Sequence, residues 1–173
     1  MPVYSHIPLH LKKIQHAIAN HFAVQMEYFS PGSGQFGKRT IEPIGTIPYG
    51  NLWQVIAFCQ LRQDYRTFRL DRMSKVVVLA EDYLPHDQLS LEQYLERQSR
   101  AGDTTLVKVS FASSVVASVV PDRYRQGFVR EIVTDSGVEM WFMVVQTELF
   151  CRWLKMYDRA AVLVSPGNLC TSC

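Results

Sequence analysis

Leu11, Ile14, Ala17 and Ile18 recur at helical spacing after Pro8, a favourable first-turn residue, and predict an amphipathic helix. The pattern then changes to short strands. Residues 24–30 (VQMEYFS) suit a strand, residues 31–37 (PGSGQFG) a flexible hairpin connection, and residues 38–47 a second strand. A tight turn at residues 48–51 (PYGN) leads into residues 53–59, WQVIAFC. These carry no charge and are rich in aromatic and β-branched side chains, which fit a mostly buried strand. Residues 60–64 read as a turn and residues 65–70 as the returning strand of a β-hairpin. Residues 74–79, with valine at 76, 77 and 78, make a further strand. Short strands joined by tight turns suit a small antiparallel barrel.

Residues 85–102 differ in kind. They are polar, include a helical stretch (LEQYLERQSR, residues 91–100) and read as a link between a domain at 1–84 and another at 103–173. Beyond the link come a strand (104–111), a helix (113–120), a strand (127–134), a turn at Asp135-Ser136-Gly137, a strand (138–146), a helix (148–157) and a strand (161–164). That order, β-α-β-β-α-β, is the ferredoxin-like pattern, so the whole chain reads as α+β. The valines within 113–120 suit a strand equally well.

The composition, 47% apolar and 20% charged over 173 residues, describes a globular chain long enough to bury a core. No apolar run reaches membrane-spanning length and no basic-then-apolar leader is present, so the expectation is a cytoplasmic protein with no membrane association. Cys59, Cys151, Cys170 and Cys173 are too few and too unevenly spread for a disulfide scaffold. The Cys170-Thr171-Ser172-Cys173 motif lacks a second pair, and a frayed tail explains it better than a zinc or redox site. His6 and His10 have an i, i+4 spacing that two metal ligands could use, but no acidic or cysteine partner follows in register, and a solvated surface is the better reading. Trp141, Phe142, Trp153 and Tyr157 could line a ligand wall, although packing between sheet and helix explains them more simply. With no recognisable nucleophile, base and orienter, neither an enzyme nor a cofactor is expected.

Charge changes the picture. From Arg62 to Lys75 there are five basic residues against Asp64 and Asp71, a local +3 on a chain whose total is only +2. A localised positive field on a nearly neutral body points to an anion site. Strand alternation puts Arg66 and Arg72 on one parity and Arg69 on the other, so the three cannot converge from a flat strand. A tight 3₁₀ turn over residues 70–73 would let Arg69 join Arg72. The alternative is that Asp64 and Asp71 take some of these arginines as ordinary surface ion pairs.

Four stretches together resemble the WYL domain, a ligand-binding module of bacterial transcription regulators. They are VQMEYFS (24–30), Lys38-Arg39 leading into IEPIG (41–45), WQVIAFC (53–59) and YRTFRLDRM (65–73). The resemblance runs over roughly residues 11–83 and rests chiefly on the last stretch. Where the family has its name-giving Trp-Tyr-Leu, this chain has Trp53-Gln54-Val55. The resemblance implies an Sm-like barrel and a pocket in which Tyr28, Ser30 and Arg39 stand with the arginines of YRTFRLDR. The second half, by element order and position, is similar to the C-terminal extension that follows many WYL domains and is implicated in self-association.

The expectation is therefore the effector-sensing region of a transcription regulator. It would bind a nucleotide or short single-stranded nucleic acid, with Arg66, Arg69 and Arg72 supplying charge, Arg39 a second phosphate contact, Ser30 a hydroxyl and Tyr28 stacking. A homodimer is expected. Duplex DNA would be read only through a helix-turn-helix domain, for which the segment before residue 24 has room for one helix only, so the chain is either a fragment of a longer regulator or works without that reader. The alternative is a structural dimerisation or protein-interaction module without a ligand.

Overall fold

A computed structural model describes residues 9–49, 52–83 and 88–170. The chain divides into two compact units, Met1–Leu91 and Glu92–Cys173. Among the described residues no helix is long and apolar enough to cross a membrane.

The first unit opens with α1 (Leu9–Asn20), whose Leu11, Ile14 and Ala17 form one buried face. Five strands follow: β1 (Phe22–Ser30), β2 (Gln35–Tyr49), β3 (Leu52–Cys59), β4 (Asp64–Arg69) and β5 (Met73–Asp82). They form one antiparallel sheet in the order β4-β3-β2-β1-β5. Side-chain alternation sorts the sheet into two faces. Val24, Met26, Ile41, Val55, Ala57, Cys59 and Phe68 join the α1 face in a single core, with Leu70, Met73 and Val76. Each large aliphatic member removed from water contributes about 1.5–3 kcal/mol.

The expected hairpin at residues 31–37 forms, with the Gly34 N–H donating to the Ser30 carbonyl at 2.9 Å. The expected 3₁₀ turn also forms, at Leu70–Arg72, and joins β4 to β5. A closed barrel does not. Among the described residues no strand ladder joins β4 to β5 or to β1, so the sheet is open, with β4 and β5 as its edges. The 3₁₀ turn connects the two edges, and the Tyr28 hydroxyl on β1 meets the Arg69 N–H at the end of β4. Part of the expected turn at residues 48–51 lies outside the described residues.

The other face of this sheet is polar where it meets the segment after β5. Glu42 is only 3% exposed, and its carboxylate accepts hydrogen bonds from Gln60 Nε2 at 3.0 Å and Gln88 Nε2 at 2.6 Å. The Tyr65 hydroxyl accepts from the Leu89 N–H at 2.7 Å. Leu91 packs so tightly on Gly45 that an added Cβ would lie 2.8 Å from its methyl carbons. Burial raises the Tyr65 phenol above its usual pKa, and the nearby Glu42 charge adds to this.

The second unit contains α2 (Leu91–Ala101, beginning at the boundary), β6 (Thr105–Ala112), α3 (Val116–Val119), β7 (Phe128–Thr134), β8 (Gly137–Val144), α4 (Thr147–Leu154) and β9 (Ala161–Ser165). From β6 onward the element order is β-α-β-β-α-β, in an antiparallel sheet ordered β7-β8-β6-β9. The helix expected over residues 113–120 is reduced to the four-residue α3. Its valines lose χ1 freedom in a helix and Pro121 follows immediately, which together account for its brevity.

Phe111, Phe128, Phe142, Phe150 and Trp153 interlock in the core, edge-on except for the tilted Phe150–Trp153 pair, with ring centroids 5.1–6.4 Å apart. Phe142, Trp153 and Tyr157 are thus packing residues. Trp141 is buried on the opposite sheet face, with Lys108 Nζ 4.4 Å and the Arg130 guanidinium 5.0 Å from its ring centroid. The cysteine expectation needs correction: Cys151 and Cys170 are disulfide-bonded, with Cα atoms 5.6 Å apart. The turn after β9 brings Leu169 and Cys170 back onto the core beside α4, a long-range closure that spacing alone does not reveal. Cys173 and His6 lie outside the described residues.

Candidate ligand-binding site

The residues singled out by sequence lie on three strands and one turn of the first unit. Tyr28 and Ser30 end β1, Arg39 is on β2, Arg66 and Arg69 are on β4, and Arg72 closes the 3₁₀ turn. Alternation on β4 separates two of them. Arg66 shares the face of Phe68 and is register-paired with Ala57, whereas Arg69 is paired with Gln54 on the opposite face.

Tyr28 brings the rest together. In the sheet β3 and β2 lie between β4 and β1, yet the Tyr28 hydroxyl accepts a hydrogen bond from the Arg69 backbone N–H at 3.2 Å. Its ring packs edge-on against Phe68 at 5.2 Å. The sheet is therefore curled enough for β1 to meet the end of β4. Tyr28 is also register-paired with Gly37 on one side and Met73, the residue after Arg72, on the other.

Arg39 reaches the same rim by folding back along β2. Its Nη1 donates to the Lys38 carbonyl at 2.8 Å, and its guanidinium lies over Gly37, 2.6 Å from where a Cβ would stand. Glycine at 37 thus leaves the space the guanidinium occupies beside Tyr28. Ser30 follows two residues after Tyr28 on the same side of the strand, paired with Gln35.

Two of these four arginines are paired with carboxylates. Arg69 makes a bidentate contact to Asp71, at 3.0 and 2.7 Å. Arg66 is 3.5 Å from Asp64, with both side chains more than half exposed. The surface-pair reading is therefore right for Arg66 and Arg69. Among the described residues neither Arg39 nor Arg72 forms an ion pair with a carboxylate. The site that remains is the rim at Tyr28, which gathers the Arg39 guanidinium over Gly37, the backbone of Arg69 and the turn that Arg72 closes just before Met73.

The Arg69 hydrogen bond holds the Asp71 carboxyl below its usual range, against a small desolvation cost, and the charge of Arg72 acts in the same direction. A depressed folded pKa means the pair's stabilisation is present above the ordinary carboxylate pKa of about 3.9 and is lost as pH falls through the folded value. Arginines stay protonated throughout. Affinity for a phosphodiester should therefore change less than about twofold between about pH 5.5 and 8, measured by anisotropy at constant salt.

Sequence reasoning missed the buried Glu42 and the exposed Phe36. A lone acid on an apolar strand, in IEPIG, was the available signal for Glu42. Among the described residues no group of three or more acidic, histidine or cysteine side chains could hold a metal ion.

Residues 9–78, covering α1 and most of the first sheet, match the pattern of the WYL domain. This stretch is a WYL domain. Over 76 residues, 44% of this chain, it is 30% identical to the uncharacterized HTH-type transcriptional regulator YobV of Bacillus subtilis (strain 168). The match covers 24% of that regulator. Two solved structures resemble the chain at low identity. Proteasome accessory factor B/C (PafBC) of Arthrobacter aurescens is 16% identical with a TM-score of 0.41, over 96% of this chain and 26% of that one. A CRISPR Cas-related protein is 10% identical with a TM-score of 0.42, over 94% of this chain and 49% of that one.

Proposed function

We propose that the chain is the effector-sensing region of a transcription regulator, and that its WYL domain takes up a nucleotide or short single-stranded nucleic acid at the Tyr28 rim. The observation that carries this reading is the Arg39 guanidinium over Gly37, the register partner of Tyr28, with Arg72 next in sequence to Met73, the other register partner of Tyr28; among the described residues neither arginine forms an ion pair with a carboxylate. Guanidinium forks match phosphate oxygens two at a time. Arg69 joins them once Asp71 yields, and Ser30 offers a hydroxyl. The match to a transcription regulator supports the regulatory setting, and a cytoplasmic location belongs to the same proposal. The strand order and the 3₁₀ link support reading the open sheet as a half-closed Sm-like barrel. The second unit, with its β-α-β-β-α-β order, is proposed as the WYL C-terminal extension that brings two copies together.

Filter-binding titration against a short single-stranded DNA at two salt concentrations tests the ligand. Binding that weakens with salt, at about 0.7 per phosphate neutralised in the logarithmic slope, is expected. No binding at low salt, or a slope near zero, would contradict it. Asp71→Asn should raise affinity by up to about 5-fold, the size of one exposed ion pair, because it releases Arg69.

A second reading is favoured by the Arg66–Asp64 and Arg69–Asp71 pairs. A face already neutralised in this way could serve protein contacts alone. In that case replacing Arg39 and Arg72 should alter the sedimentation behaviour of the protein, whereas a ligand site predicts an unchanged assembly.

A further inference from the structure

The hairpin between β1 and β2 extends beyond its neighbours. The ladder with β5 ends at Tyr28–Met73 and that with β3 begins at Ile41–Cys59. Among the described residues, Phe29–Ser30 and residues 35–36 therefore pair only with each other, as a two-stranded ribbon. Phe36 stands on this ribbon 60% exposed, with its ring centroid 5.3 Å from that of the cross-strand Phe29. Residues 28–41 contain Lys38 and Arg39 and no acidic residue; Glu27, the register partner of Lys38 at the base of the ribbon, is ion-paired to Lys75. At the tip, Gly32 and Gly34 have nothing within 4 Å of where a Cβ would stand, so a polymer can approach closely.

Alternation puts Phe36 and Lys38 on one face of the ribbon, and Tyr28 and Arg39 on the other. Among the described residues, the β2 edge between them, residues 35–39, pairs with no strand besides β1, the Thr40 carbonyl already accepting from the Gln60 N–H. We propose that this ribbon is a stacking platform for single-stranded nucleic acid: a base lies on Phe36 while the adjoining phosphates meet Lys38 and Arg39. The inference rests on the anion-site reading above and selects a polynucleotide over a mononucleotide. Lys38 and Arg39 match a phosphate backbone, with Glu27 already engaged by Lys75, and an exposed aromatic ring accepts any base, which gives sequence-tolerant affinity.

The test compares wild type, Phe36→Ala, Phe36→Trp and Arg39→Gln by anisotropy on a fluorescein-labelled oligothymidylate of about eight nucleotides, long enough to cross one such site. Pyrophosphate, a phosphate anion without a base, serves as competitor. Phe36→Ala should weaken the oligonucleotide about 10-fold, within the range for loss of one stacked base, while leaving pyrophosphate, which has no base to stack, within about twofold. Phe36→Trp should keep the affinity and show tryptophan quenching on binding. If Phe36→Ala binds the oligonucleotide like wild type while Arg39→Gln does not, the platform is wrong and the arginine site stands. The platform is equally wrong if Phe36→Ala changes only self-association. If wild type binds neither probe, the anion site fails and the platform with it.

Discussion

Replacing Arg39 and Arg72 together by glutamine is expected to weaken oligonucleotide binding by roughly 30- to 1000-fold, or about 2–4 kcal/mol. Each lost contact is a charge-assisted hydrogen bond in a partly exposed site. Among the described residues the two guanidinium groups lack carboxylate partners, so their removal leaves no orphaned acid and should leave the thermal midpoint within a few degrees. The logarithmic salt slope should fall by about 1.4, two phosphate contacts on a single strand. Arg66→Gln is the internal control. Its partner Asp64 is equally exposed and already neutralises it, so the loss should stay below about 3-fold.

The second large effect concerns stability. Phe142→Ala should destabilise the second unit by about 3–5 kcal/mol. Phe142 is fully buried, and its ring centroid lies within 6.4 Å of those of Phe111, Phe128, Phe150 and Trp153. Its truncation leaves a cavity walled by rings that cannot collapse far without losing their own edge-on contacts. Urea unfolding followed by tryptophan fluorescence checks this, since Trp141 and Trp153 report on the second unit and Trp53 on the first. A change below about 1 kcal/mol would mean that the site is not packed as described.

Most of the architecture was legible because burial writes a period into the sequence. WQVIAFC became β3, the 3₁₀ turn fell at Leu70–Arg72, and the second unit kept the expected element order. What pattern could not supply was closure and pairing. Whether β4 joins β5 by a ladder depends on strand curvature, and the answer lay in one hydrogen bond between Tyr28 and Arg69, 41 positions apart. The disulfide was hidden for the same reason, since the path of the chain through β9 is what brings Cys170 back to Cys151.

The candidate site was legible in part. Residue type identified the arginines, and parity correctly separated Arg66 from Arg69. Local charge arithmetic could not say which arginines Asp64 and Asp71 would occupy. Nor could it say that Arg39 would fold over Gly37, a backbone position whose significance depends on a side chain two residues away.

The most direct measurement is a two-dimensional NMR titration of the arginine Nε–Hε resonances with unlabelled oligothymidylate. The Arg39 and Arg72 signals should shift together and saturate, with Arg69 following as it exchanges Asp71 for phosphate, while Arg66 stays in place. Unmoved Arg39 and Arg72 signals at saturating oligonucleotide, or shifts confined to Arg66, would contradict a phosphate site at the Tyr28 rim.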